Sequence, residues 1–173
     1  MPFETVIRNI LEHCTSHTPA TADRWYGSWN GILGTLFTPD QGYAVAPRGC
    51  LHDDSEGGIP GSIFEVVKLS PDDPTTFRTI LIAEIQNTQL WESGIPALQR
   101  QLNLDTDRAF SDTAHSKVYW IETIGPHWRY GEKEHKGQDA RPLIDWHHTT
   151  HDQASFDDLQ TLRSLVATAL EKE

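Results

Sequence analysis

The sequence predicts an α/β fold in which a mixed β-sheet is flanked by helices. Two short segments rich in Ile, Val and Leu, 62–69 and 79–87, are bounded by turn residues, which is typical of neighbouring buried strands. Segments with apolar residues at helical spacing lie near both ends of the chain, at 3–14 and 155–170. This order of strands and helices indicates a sheet with strands in both directions, covered by helices.

The first part of the chain predicts two helices followed by a strand. Apolar residues recur at helical spacing over 3–14 and again over 25–37, and Asp23 can cap the second helix. The Pro- and Gly-containing turn at 38–42 ends that helix. A weak period of two then predicts a strand at 43–51.

The two central strands are expected to form a hairpin. The connection at 70–74 contains two prolines and two aspartates and is too short to hold a crossover helix. Segments 62–69 and 79–87 should therefore pair antiparallel in the middle of one sheet. The side chains that we expect to be buried in this hairpin are Val66, Ile80 and Ile82.

The remaining segments predict a helix, further strands and a final helix. A long amphipathic pattern at 91–110 predicts a helix with Pro96 in its first turn. Strands are expected at 117–124, from 127 onward and, as a short strand, at 142–148. Asp152 or Ser155 can cap the final helix at 155–170.

Length and charge limit the classes of function. The 173 residues predict one domain over 1–173, with its core at about 25–130. The chain has 25 acidic and 14 basic residues, a formal net charge of -11, which disfavours nucleic acid and anionic membranes as partners. It contains neither a signal-peptide pattern nor an apolar run of about 20 residues, and Cys14 and Cys50 do not form a secretory framework. We therefore expect an intracellular protein, cytoplasmic or nuclear.

Glu84 and Gln86 end an otherwise apolar strand. Because residues two apart on a strand point to one face, these two polar side chains should project together. A carboxylate on a buried strand requires a partner, which can be a metal, a ligand or an arginine such as Arg78 or Arg100. The acidic, Gly-rich segment 52–60 can form a loop beside this site.

Several motifs together resemble the PD-(D/E)XK phosphodiesterase superfamily, which has a restriction-endonuclease-like fold. The similarity covers about residues 25–130 and is closest to a fungal branch of the superfamily. It consists of a helix, a hairpin with acidic residues, a further helix and further strands. The segments that carry it are 58–66, 82–87, the helix with Gln99 and Gln101, and 124–130. The resemblance implies a restriction-endonuclease-like core.

In the nucleases of this superfamily, a first acid and the Glu of a Glu-x-Lys motif bind Mg²⁺, and the Lys orients or activates the attacking water. The resemblance thus implies Glu84 as a Mg²⁺ ligand, with Gln101 of the following helix facing the site. The motif is broken twice, since Gly61 stands at the position of the first acid and Gln86 at that of the lysine.

A relocated acid could complete the metal site. One carboxylate retains Mg²⁺ poorly, because this cation needs several oxygen ligands and loses water reluctantly. The candidates are Asp54, its neighbours Asp53 and Glu56, and Glu65. For Glu65 and Lys68, the other interpretation is that they are solvent-facing charges on a strand.

A second cluster lies in the segment 146–152, which contains three histidines. His147 and His151 are four residues apart, the spacing of metal ligands on one face of a helix. The segment lacks helical periodicity, so His148 and His151 could instead meet in a loop. The other interpretation is that these are surface or capping residues before the final helix.

The sequence therefore favours one of two classes of function. The first is a degenerate, non-nucleolytic domain whose cleft at Glu84 binds a small molecule or a protein ligand. The alternative is a metal-dependent phosphodiesterase that uses Glu84, Gln86 and a relocated acid. The missing first acid and the missing lysine favour the binding domain.

Overall fold

The computed structural model describes residues 5–17, 23–48, 62–69, 77–91, 93–112 and 116–171. Within these ranges the chain forms a mixed six-stranded sheet flanked by helices, the α/β class that the sequence predicts. The helices are α1 (Thr5–Ser16), α2 (Asp23–Leu36), α3 (Ile95–Asp112) and α4 (Gln153–Leu170). The strands are β1 (Tyr43–Arg48), β2 (Ser62–Leu69), β3 (Phe77–Gln86), β4 (Val118–Ile124), β5 (His127–Lys133) and β6 (Arg141–Pro142).

The strands lie in the sheet in the order in which they occur in the chain. Strands β1, β2 and β3 form an antiparallel meander, in which Phe64 of β2 pairs with Ala83 of β3. Helix α3 then leads to β4, which pairs parallel with β3, and β5 and β6 continue antiparallel. The predicted central hairpin is confirmed, and Val66, Ile80 and Ile82 are buried as expected.

The two faces of the sheet have different coverings. The larger hydrophobic cluster lies on the face covered by α1, α2 and α4, and it includes Trp25, Trp29 and Leu159. Helix α3 packs on β3 and β4 on the opposite face. There Leu102 packs with Trp120 in one small cluster, and further apolar groups form another. The α3 face therefore has less apolar packing and contains more buried polar groups.

Helix α3 begins later than the sequence predicts. A turn of 3-10 helix at Thr88–Leu90 follows β3, and the Asn87 side chain accepts a hydrogen bond from the Gln89 amide at 3.1 Å. Regular helix starts only at Ile95. Pro96 is then the second residue of α3, in a first turn where its missing N–H costs no intrahelical hydrogen bond.

The prediction of a short strand at 142–148 is wrong. Regular strand pairing with β5 covers Arg141–Pro142 alone among the described residues of this segment. Beyond it, the Leu143 amide donates to the Tyr130 carbonyl, and an isolated bridge joins His147 to Trp128, which is also in β5. Asp152 is the N-cap of α4, since its carboxylate accepts a hydrogen bond from the Ser155 amide at 2.8 Å. In the described part of the chain, no helix is long and apolar enough to cross a membrane.

Candidate functional site

Glu84 and Gln86 project from the same face of β3, towards helix α3. The alternate residues of the strand, Ala83 and Ile85, point the other way, into the larger hydrophobic cluster. Helix α3 covers both polar side chains, so that Glu84 is 1% and Gln86 3% exposed. The pair that the sequence singles out is therefore fully enclosed.

A second buried carboxylate lies beside Glu84, and it comes from helix α3. Asp105 is 2% exposed, and its carboxyl group is within hydrogen-bonding range of that of Glu84. Neither carboxylate oxygen of Glu84 accepts a hydrogen bond from an N–H or O–H group of the described residues. Two carboxyl groups can hydrogen bond to each other only when one carries a proton. The pair therefore either shares a proton or faces a cation.

Glu122 is a third acid on this face of the sheet, and it has an arginine partner. It lies directly opposite Glu84 in the parallel β3–β4 ladder and is fully buried. Arg129 of β5 donates from Nε to Oε2 of Glu122 at 2.7 Å, and its guanidinium carbon lies 4.6 Å from the centre of the Trp146 ring. Oε1 of Glu122 and Oε1 of Gln86 have no hydrogen-bond partner among the described residues.

The two carboxyl groups of the acidic pair have different surroundings. Asp105 accepts from Gln101 Nε2 at 2.8 Å and from Arg108 at 3.1 Å, whereas Glu84 has no such donor. Burial raises the pKa of Glu84 well above its usual range, and the charges of Asp105 and Glu122 raise it further. Glu84 is therefore the member of the pair that favours a proton when no cation is bound.

The pKa of Glu122 is raised as well. Burial raises the pKa of its carboxyl group, and the Arg129 guanidinium opposes that effect without cancelling it. The face of the sheet at Glu84 thus carries more acidic than basic groups in a dry environment. Such a cluster favours the binding of a positive species, either protons or a metal cation.

Of the two glutamines on α3, Gln101 belongs to the acidic cluster through its bond to Asp105. Gln99 instead lines a shallow surface depression together with Arg100 and Asn103. Gln101 therefore lies next to the acidic pair, and its role in a site stays a prediction. Its contact is with Asp105, a residue that the sequence had not singled out.

The sequence contained a signal for these additional acids. Asp105 lies three residues after Leu102 and four before Ala109, so it occupies an inward position of an amphipathic helix. Glu122 interrupts an apolar strand in the same way as Glu84 does. A charged residue at a buried position of a periodic pattern is the observation that could have identified both.

The predicted relocated ligands divide into two groups. Gly61 and the loop acids lie outside the described residues; these acids are Asp53, Asp54 and Glu56. Glu65 is described, and the expectation that it faces solvent is wrong, since the residue is 7% exposed. Its carboxylate lies 2.9 Å from Nε of Arg48, because β1 places Arg48 on the same face of the neighbouring strand.

The histidines of the 146–152 segment contact separate partners. His147 Nε2 lies 2.7 Å from Oδ2 of Asp158, and its ring stacks on that of Trp128. His151 Nδ1 lies 2.8 Å from the Thr149 hydroxyl. His148 meets His127 of β5 instead, with 3.1 Å between the two Nδ1 atoms. The structure therefore gives the predicted ligands His147 and His151 different hydrogen bonds.

Comparison of the chain with protein-family models, with curated proteins and with solved structures gives no match. Within the described ranges, no group of three or more His, Cys, Asp or Glu side chains is arranged to hold a metal ion. A cation at Glu84 would therefore be held by two carboxylates together with neutral oxygens. A function for this chain has to be argued from the chemistry of its own residues.

Proposed function

We propose that this protein is a degenerate restriction-endonuclease-like domain that binds a divalent cation at the Glu84–Asp105 pair and does not cut nucleic acid. The order of its elements supports this proposal. A helix, a hairpin, a second helix and further strands follow one another, which is the order that the PD-(D/E)XK resemblance implies. The observation that carries the proposal is the buried Glu84 carboxyl group, which has another acid beside it and no basic partner among the described residues.

The residues of this site fit a hard divalent cation in donor type. Mg²⁺ and Mn²⁺ prefer oxygen ligands, and the site supplies the carboxylates of Glu84 and Asp105 and the amide oxygen of Gln86. These buried oxygens need a compensating positive charge or proton. Bound there, the cation would neutralise the pair and displace the proton from Glu84.

The lack of nucleolytic activity is proposed from charge and burial. Each of the four described lysines bonds elsewhere, so none takes the role of the lysine that Gln86 replaces. Their partners are the Gln41 carbonyl for Lys68, Glu132 for Lys117, Asp107 for Lys133 and Ser111 for Lys136. Glu84 is enclosed, and a net charge of -11 repels a polyanion.

Calorimetric titration with Mn²⁺ and Mg²⁺ tests the binding site. The unmodified protein should bind Mn²⁺ saturably, and more tightly as pH rises because the cation competes with the proton on Glu84. Glu84→Gln and Asp105→Asn should each weaken binding by roughly tenfold or more, since each removes one anionic ligand. Asp145→Asn, at an exposed position, is the control and should bind as the parent does. Equal affinity in all four proteins would exclude the pair as the site.

A metal-dependent phosphodiesterase remains the second candidate, and one observation favours it. Asp105 supplies the second carboxylate that the sequence motif lacks at Gly61. When bound between two carboxylates, a divalent cation can polarise a phosphoryl oxygen and lower the pKa of a bound water. A cleavage assay separates the two candidates, because only the second predicts hydrolysis that Glu84→Gln abolishes.

A further inference from the structure

A cavity on the opposite side of the sheet combines two cations with two hydroxyl groups. It lies between α4 and the edge of the sheet at β1 and β2, and its volume is about 330 Å³. The residues that line it are Gln41, Tyr43, Lys68, Arg163, Ser164 and Ala167. Tyr43 also belongs to the larger hydrophobic cluster, on the face away from α3. This cavity is therefore separate from the Glu84 cluster.

Lys68 is held in place by uncharged groups. Its ammonium group donates to the backbone carbonyl of Gln41 and lies 4.1 Å from the centre of the Tyr43 ring. Gly42 permits this approach, because it adopts φ 77° and a Cβ there would lie 3.3 Å from the lysine Nζ. The positive charge is thus positioned at the cavity, and no carboxylate in the described part of the chain forms an ion pair with it.

Arg163 of α4 supplies the second cation. Its charge acts on the Tyr43 phenol, and neither Arg163 nor Lys68 forms an ion pair with an acid of the described residues. Most other described cations do have an acidic partner within 4.0 Å. These are Arg8, Arg48, Arg108, Lys117, Arg129, Lys133 and Arg141. Two cations at one cavity, without an acidic ion-pair partner among the described residues, are unexpected in a chain with a net charge of -11.

We propose that the Lys68–Arg163 cavity binds a phosphate group, either inorganic phosphate or that of a small phosphorylated metabolite. Phosphate accepts several charge-assisted hydrogen bonds, and an ammonium and a guanidinium are its usual partners. The Tyr43 phenol can donate a further hydrogen bond, whereas the Ser164 hydroxyl already donates to the Gln160 carbonyl at 2.9 Å. Burial raises the pKa of Tyr43, which keeps the phenol protonated as a donor at neutral pH.

One nearby acid opposes the binding of an anion. Glu171, at the C-terminal end of α4, acts electrostatically on Tyr43 and contributes negative potential at the cavity. Glu171→Gln should therefore tighten phosphate binding by about two- to threefold, the scale of an exposed charge interaction. This gain distinguishes a site that recognises charge from a cavity that merely accommodates small molecules.

The test is a titration of the full chain with sodium phosphate and with adenosine monophosphate, followed by calorimetry or NMR at two salt concentrations. At least one ligand should bind saturably, and more weakly at high salt. Arg163→Gln and Lys68→Met should each lower its affinity about tenfold or more, because each removes a charge-assisted hydrogen bond. The control is Arg100→Gln, which removes a cation from the separate depression that Gln99 and Asn103 line. It should leave the affinity unchanged.

Two outcomes overturn the proposal. They are the absence of saturable binding of either ligand, and an equal loss of affinity in Arg100→Gln and Arg163→Gln. Lys68→Met removes a hydrogen bond to the Gln41 carbonyl, so the fold of this variant is checked by circular dichroism. If Lys68→Met unfolds, the result for Arg163→Gln decides the test. Glu84→Gln and Asp105→Asn should bind phosphate as the parent does, so this site and the proposed cation site can fail independently.

Discussion

Glu84 and Glu122 lie directly opposite each other in the parallel β3–β4 ladder, but only Glu122 has an arginine partner. Arg129 approaches Glu122 from β5, on the side away from Glu84. Two adjacent buried acids with a single basic partner leave one carboxyl group uncompensated. This difference between register partners explains why the candidate site centres on Glu84, with Glu122 contributing charge from the neighbouring strand.

Removing Arg129 should destabilise the protein strongly. Arg129→Met leaves the Glu122 carboxylate buried without its partner, and breaking a buried pair in this way costs about 3–5 kcal/mol. The free energy of unfolding in urea measures the effect. The double variant Glu122→Gln/Arg129→Met should recover most of the loss, since no unpaired charge remains. A loss below about 1 kcal/mol in the single variant would contradict the burial of this ion pair.

Glu84→Gln should change how stability depends on pH. The pKa of Glu84 is raised in the folded protein, so the folded state keeps a proton that the unfolded state releases. The stabilising contribution of this proton is complete below the unfolded pKa and is lost as pH rises through the folded pKa. Glutamine does not titrate, so the variant should be more stable than the parent at pH 8, by roughly 1–3 kcal/mol.

Urea unfolding at a series of pH values between 4 and 8 checks the direction of this pH dependence. The difference in unfolding free energy between Glu84→Gln and the parent should shrink as the pH approaches 4. Asp157→Asn, which changes an exposed acid on α4, should show a constant small difference across the range. A variant whose advantage grows towards low pH would show that Glu84 is ionised in the folded protein.

The central strands were predictable because their chemistry is local. The apolar runs of β2 and β3 and the short connection between them identify the hairpin, and the period of two places Glu84 and Gln86 on one face. The start of α3 was not predictable, since the turn at Thr88–Leu90 depends on the Asn87 side chain. The short β6 depends on its register with β5, which no local pattern specifies.

The candidate site was predictable only in part, for a related reason. Glu84 and Gln86 are two residues apart, and their shared face follows from strand geometry alone. Asp105 joins them because α3 crosses back over β3 and β4, which brings together residues 21 positions apart in the sequence. Arg129 reaches Glu122 through the register of the β4–β5 pair. A sequence pattern identifies such buried charges individually but does not specify which of them meet.

Gly131 should tolerate no side chain, which tests the packing beside the candidate site. A Cβ at this position of β5 would lie 2.1 Å from the Arg141 carbonyl oxygen and 2.3 Å from the Trp120 ring. Gly131→Ala should therefore cost roughly 1–3 kcal/mol or more, because the backbone of β6 or the tryptophan must move. Gly27→Ala in α2, where nothing lies within 4 Å, should instead stabilise by up to about 1 kcal/mol. Similar losses in both variants would contradict the close contact at Gly131.

The expected nuclease activity follows from the burial of Glu84 and the charge of the chain. In Mg²⁺ or Mn²⁺, the protein should cut DNA or RNA weakly or not at all, because Glu84 is enclosed and the net charge of -11 repels the polymer. Gel assays with single- and double-stranded substrates measure it, with Glu84→Gln and Asp105→Asn as controls for a contaminating nuclease. Cleavage by the unmodified protein that both variants abolish would make this chain a phosphodiesterase whose second ligand comes from helix α3. Gly61→Asp/Gln86→Lys introduces the two residues that the proposed PD-(D/E)XK resemblance would require. If the protein is a binding domain as proposed, this variant should gain little activity, because a covering helix still separates Glu84 from solvent.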